Sequence, residues 1–243
     1  MVSKVRTIVR HVLPRPARDA VLKAAHTRGL MPWATKGFEV WLIVQHLLLL
    51  LRPQAMVEFG SGRSTDYLAE YAHKSGCRLM SIEENWIYVA KVNLALRLLM
   101  TRTNVVRHVP VKGEWYDHAR FDRLLDAFGP ADFVFIDGPV DREGRERAAI
   151  ERHLDRLIDL AEVKLVLLDD TQRPEVKALA LRIAERFGLV AYDLADTHKE
   201  GNALTFLLAP GHTAALDALA PSLRALLEPV AAPAAATDEP ALT

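Results

Sequence analysis

The sequence predicts an α/β protein: a doubly wound, mostly parallel sheet of seven strands with an antiparallel strand at one edge. Three observations lead there. Apolar runs of strand length alternate five times with segments of helix length. The last two runs, "LVAYDLA" and "ALTFLLAP", have a short connection and no helix between them, so they can form a hairpin. Half of the 243 residues are hydrophobic, enough to cover a sheet on both faces.

The elements follow in order. Residues 1–35 form a basic N-terminal extension: the first thirty hold seven Lys or Arg against one acid, Asp19. There Val2, Val5, Ile8, Val9, Val12 and Leu13 recur at roughly helical spacing, up to Pro14 and Pro16. That helix packs on the domain or lies on a membrane surface or a partner. Residues 36–52 read as a buried helix that stops at Pro53. "AMVEFG" is a first strand, 64–75 a helix opened by Ser64 or Thr65 as cap, and "RLMSIEE" a second strand. A helix over 85–100, the strand "NVVRHVPV" and a short helix over 117–128 come next. "ADFVFIDGP" is the most apolar strand and therefore central. A helix over 143–161, the strand "VKLVLLDD", a helix over 173–187 and the closing strand pair complete the domain, 36–212. A C-terminal helix over 213–228 and a flexible Ala- and Pro-rich tail over 229–243 follow.

Lys plus Arg and Asp plus Glu are equal at 31 each, which gives no overall electrostatic signature for nucleic acid. The single cysteine, Cys77, rules out an intrachain disulfide and suits a cytoplasmic protein with a buried thiol. The longest apolar run, residues 40–51, is too short to span a bilayer, and no secretory signal is evident.

Function is first suggested by "VEFGSGRST". Gly60 and Gly62 fall between a strand and a helix, where a turn needs unusual dihedrals and a ligand can approach bare backbone. Amides at the helix start, around Ser61, Ser64 and Thr65, point into the same crevice. About 20 residues later in such folds, an acid at the end of the next strand faces a nucleoside ribose. Glu83 holds that position here, with Glu84 assigned to the start of the following helix.

These residues resemble the first motif of class I S-adenosylmethionine-dependent methyltransferases. Thr65 stands in place of the third glycine of the dinucleotide fingerprint, which favours adenosylmethionine over a pyrophosphate cofactor. The resemblance covers about residues 54–208. It implies a Rossmann-like sheet of order 3-2-1-4-5-7-6, Glu58 near the methionine end of the cofactor and Glu83 on its ribose. Trp115, in "EWYDH", could stack on adenine or line the acceptor pocket.

"FIDGPVDREGR" and "LLDDTQRPE" place Asp137, Asp169 and Asp170 at two neighbouring strand ends. Carboxylates gathered there need a cation, a shared proton or donors such as Arg142, Arg145 and Arg173. Three roles stay open: ligands to a divalent cation such as Mg²⁺, a general base or orienting group for an acceptor hydroxyl, or structural caps and ion pairs. The pattern is similar to a bacterial branch of methyltransferase-like proteins and, more distantly, to catechol-type O-methyltransferases, although Thr171 stands where the latter carry an Asn. The resemblance implies a small-molecule or glycan hydroxyl as acceptor. His118 is a further candidate base, and His198, Lys199 and Asn202 could close over the acceptor. The rival classes are a nucleotide-linked oxidoreductase and a non-catalytic methyltransferase-like binding module.

Overall fold

A computed structural model describes residues 32–98, 105–139, 146–194 and 203–230. The basic N-terminal stretch, Arg142, Arg145, His198, Lys199 and Asn202 lie outside these residues.

Helix α1 (Pro32–Leu51) ends one residue early: Arg52 turns left-handed (φ 48°), and Pro53 could not have continued the helix. Then come β1 (Ala55–Phe59), α2 (Arg63–Ser75), β2 (Arg78–Glu83), α3 (Trp86–Leu98) and β3 (Val106–His108). The third strand is shorter than its apolar run suggests, because Pro110 cannot supply a ladder donor. Past it a two-stranded ribbon, β4 (Val111–Lys112) with β5 (Trp115–Tyr116), turns at Gly113 (φ 74°). Helix α4 (His118–Phe128) is capped by Asp117, whose carboxylate accepts the Arg120 N–H at 3.0 Å.

After β6 (Phe133–Ile136) the expected long helix is replaced. A 3₁₀ segment, Arg147–His153, leads into one α turn, α5 (Leu154–Leu157). Its buried residues, Arg147, Ile150 and His153, recur every third position, the period at which 3₁₀ side chains stack on one face. Strand β7 (Leu165–Leu168), α6 (Pro174–Phe187), β8 (Val190–Leu194) and β9 (Leu204–Leu208) follow. Pro221 divides the expected C-terminal helix into α7 (Ala214–Asp217) and α8 (Pro221–Arg224). The junction of the expected C-terminal helix and tail, Glu228–Pro229 (β10), pairs with β8 as an outer strand.

The main sheet runs β3-β2-β1-β6-β7-β9-β8-β10. Strands β3, β2, β1, β6 and β7 are mutually parallel, and β9 runs against both neighbours. This is the order the family resemblance implies, with β10 as an eighth strand. Alternate residues feed two cores, as the strand period requires. Met56, Phe133, Phe135 and Leu167 face α1, α2 and α3. Val57, Phe59, Val134, Ile136 and Leu168 face α4, the 3₁₀ segment and α6. Cys77 is buried in the first core, and burial pushes its thiol up to about 12, so it is not a nucleophile. No helix among the described residues is long and apolar enough to cross a membrane.

Candidate active site

The carboxyl ends of β1, β2, β6 and β7 lie side by side, and the predicted residues fall on their loops. Gly60 leaves β1 with φ 87° and donates its N–H to Ile82 O at 2.9 Å. A Cβ there would lie 2.9 Å from the Asp137 carbonyl oxygen, so only glycine fits. Gly138 is its counterpart: a Cβ on it would meet the Tyr116 hydroxyl at 2.5 Å and Gly60 N at 2.8 Å. The β1 and β6 loops therefore touch backbone to backbone. At Gly62, the N-cap of α2, an added Cβ would meet nothing within 4 Å, so the loop is open on that side.

Glu83 closes the other side. Its Oε2 accepts the Ser61 N–H (3.1 Å) and Oγ–H (2.8 Å), and its Oε1 accepts the Asn85 N–H (2.9 Å). Three of roughly four lone-pair sites are used, which leaves one for a ligand hydroxyl. Asn85, not Glu84, caps α3: its Oδ1 accepts from Ile87 N (3.0 Å) and Tyr88 N (3.3 Å). Asn is a strong cap residue, so the sequence carried that signal.

Four of the expected cofactor contacts, Glu58, Ser64, Thr65 and Trp115, are buried in this structure. Glu58 and Thr65 have no exposed surface, and Ser64 is 5% exposed. The Thr65 hydroxyl donates to Glu58 Oε2 at 2.7 Å and accepts the Gly62 N–H at 2.9 Å. A carboxylate in a buried strand must find donors: Thr65 supplies one to Oε2, while Oε1 is buried without a hydrogen-bond partner among the described residues. Trp115 is also fully buried, between Phe59, Phe121, His118 and His153. In this structure it is a core residue and offers no face to adenine.

Burial pushes the Glu58 carboxyl up from 4.5 to about 7, against the pull of the hydroxyls of Ser64, Ser81 and Thr65. The folded protein thus binds a proton that the unfolded chain releases. The stability linked to this proton is fully present below about pH 4.5 and is lost as pH rises through about 7, about 3 kcal/mol in all. Glu58→Gln keeps the shape without the charge. Urea denaturation should find it about 3 kcal/mol more stable than wild type at alkaline pH, with the gap closing towards pH 4.5. Taking the difference cancels the opposite slope from His153, whose burial holds it below its usual range.

At the β6 and β7 ends, Arg147 organises the three acids. Its Nη1 donates to Asp169 O (2.9 Å), and its Nη2 donates to Asp170 Oδ2 (2.9 Å) and Asp137 O (3.3 Å). Asp137 Oδ1 lies 3.7 Å from the same nitrogen. Arg173 reaches Asp170 as well, at 3.2 Å. Asp170 (φ 62°) is thus an ion-pair partner of two arginines, and Asp169 Oδ1 accepts the Asp170 N–H at 2.8 Å. Asp137 stands apart, with 37% of its side chain exposed. Partial desolvation of the carboxyl and the nearby Asp169 push its proton affinity well above the usual range, against the pull of Arg147. Among the described residues no three His, Cys, Asp or Glu are grouped to hold a metal ion. The Mg²⁺ ligand role expected for Asp137, Asp169 and Asp170 finds no support in that grouping, and Arg147 and Arg173 balance the charge of Asp170. His118 is hydrogen-bonded to His153 (2.7 Å), which in turn pairs with Asp122 (3.1 Å).

No protein-family profile and no curated protein matches the sequence. Among solved structures, the chain is similar to a provisionally assigned O-methyltransferase from Klebsiella pneumoniae (TM-score 0.51, 17% identity, covering 86% of this chain and 96% of that one). It is also similar to the O-methyltransferase from Bacillus cereus, solved in complex with SAH (TM-score 0.49, 14% identity, 84% and 96% covered). The first likeness shows the fold, a Rossmann-like methyltransferase fold.

Proposed function

We propose that this protein is an S-adenosylmethionine-dependent methyltransferase acting on a hydroxyl oxygen of a small-molecule or glycan acceptor. The observation that carries the reading is the Gly60–Ser61–Gly62 turn, open at Gly62 and bridged to Glu83 on the next strand. A ribose needs an anchored carboxylate with a spare lone pair, and an adenosyl group needs bare backbone to lie on; these residues fit both. The cofactor supplies a methyl group already activated by its sulfonium. The chain's residues then have to bind, orient and handle one proton. Glu83 holds the ribose hydroxyls. Asp137, partly exposed beside the loop and with a raised proton affinity, takes the acceptor's hydroxyl proton as the new O–CH₃ bond forms. The electron pair of the broken S–CH₃ bond stays on sulfur, giving S-adenosylhomocysteine. Arg147 holds the Asp170 carboxylate in an ion pair, which keeps it from competing for that proton.

Calorimetry tests the site. S-adenosylhomocysteine should bind and NAD should not. Glu83→Ala should weaken binding by about 1.5–3 kcal/mol per lost charge-assisted hydrogen bond. Asp137→Asn should keep that affinity and lose methyl transfer to a fractionated acceptor pool. Retention of NAD with no adenosyl ligand would favour the oxidoreductase class. Cofactor binding without transfer to any fraction would favour a binding module.

A further inference from the structure

We propose that α3 and the β3 edge dock on an anionic lipid bilayer. Helix α3 buries Val92 and Leu96 against the sheet and turns another apolar stripe outward. Trp86, Ala90 and Leu94 follow at four-residue steps, and Ile87 lies two turns before Leu94. Trp86, Ile87 and Leu94 are 66%, 59% and 58% exposed, and Tyr88 adjoins them at 39%. Large side chains on one stripe of a helix, left in water, mark a surface meant to be covered.

Charge identifies what covers it. From Asn85 to Gly113 the chain has no Asp or Glu but carries Lys91, Arg97, Arg102, Arg107 and Lys112, in a protein whose charges balance overall. Lys91 and Arg97 are exposed on α3, Arg107 on the outermost parallel strand and Lys112 on β4; Arg102 lies outside the described residues. A second copy would bring two faces rich in cations together, because a two-fold interface pairs a patch with itself. A nucleic acid would use the cations but not Ile87 or Leu94. An anionic bilayer uses both: aliphatic and indole groups enter the interface while long cationic side chains reach the headgroups.

The test needs neither cofactor nor acceptor, so it stands apart from the methyl-transfer reading. The full chain should co-sediment with vesicles of phosphatidylcholine mixed with phosphatidylglycerol, weakly with phosphatidylcholine alone, and less at raised salt. Ile87→Asp with Leu94→Asp should reduce binding about tenfold or more while leaving the melting midpoint unchanged, since both side chains are mostly in water. Lys91→Ala should reduce it about fivefold. Equal or absent binding to both vesicle types overturns the proposal, as does a double-Asp variant that binds like wild type. A wild-type dimer in lipid-free solution that the double-Asp variant converts to monomer also overturns it, by giving the stripe to a second copy.

Discussion

An Arg147→Met protein should unfold with about 3–4 kcal/mol less stability than wild type, read as a lower urea midpoint at unchanged slope. Methionine fills much of the space, so the loss comes from the polar groups left behind. The Asp169 and Asp137 carbonyls lose this donor, and Asp170 keeps Arg173 and a longer bond from the Gln172 amide. Arg147→Lys should recover only part, because an ammonium cannot present two nitrogens in a fixed fork. Asp170→Asn added to Arg147→Met should restore some stability by removing the stranded charge. A second readout belongs to the chemistry. Arg147 lowers the proton affinity of Asp137, so its loss should move the acid limb of the kcat/KM profile to higher pH. Unaltered stability together with an unaltered profile would mean that the guanidinium does not organise these strand ends.

The Gly60→Val protein should be worse still: about 4 kcal/mol less stable and with no measurable affinity for S-adenosylhomocysteine. A β-branched residue is strained at φ 87°, and its Cβ would lie 2.9 Å from a backbone oxygen that the β6 strand holds in place. Relief requires either loop to move, and both line the crevice. Gly62→Ala serves as the contrast. Its added methyl meets no protein atom, so the fold should tolerate it, and any loss of affinity reports a ligand passing that point. A Gly60→Val protein with full affinity would place the site elsewhere.

Much of the fold was legible because strands buried on both faces write themselves as apolar runs, and helices fill the gaps between them. The glycine turn and the acid one strand over were legible for the same reason: their places follow from the strand ends. What escaped lies below the reach of periodicity. Strands β4 and β5 have two residues each, and the 3₁₀ segment repeats every third residue, where a longer helix was expected. Arg147 was missed because a lone arginine reads as a surface residue; nothing local says that it turns inward to three acids at two other strand ends. The inward bond of Thr65 has a signal in the sequence: Glu58 is an acid inside an apolar strand, and one of its oxygens is met from within by the Thr65 hydroxyl.

The meeting of Gly60 and Gly138 has an evolutionary corollary. With no side chain between the two loops, neither has a residue to trade, and a change in one displaces the other. The two loops are therefore frozen as a single piece, and relatives of this chain should hold glycine at both positions together.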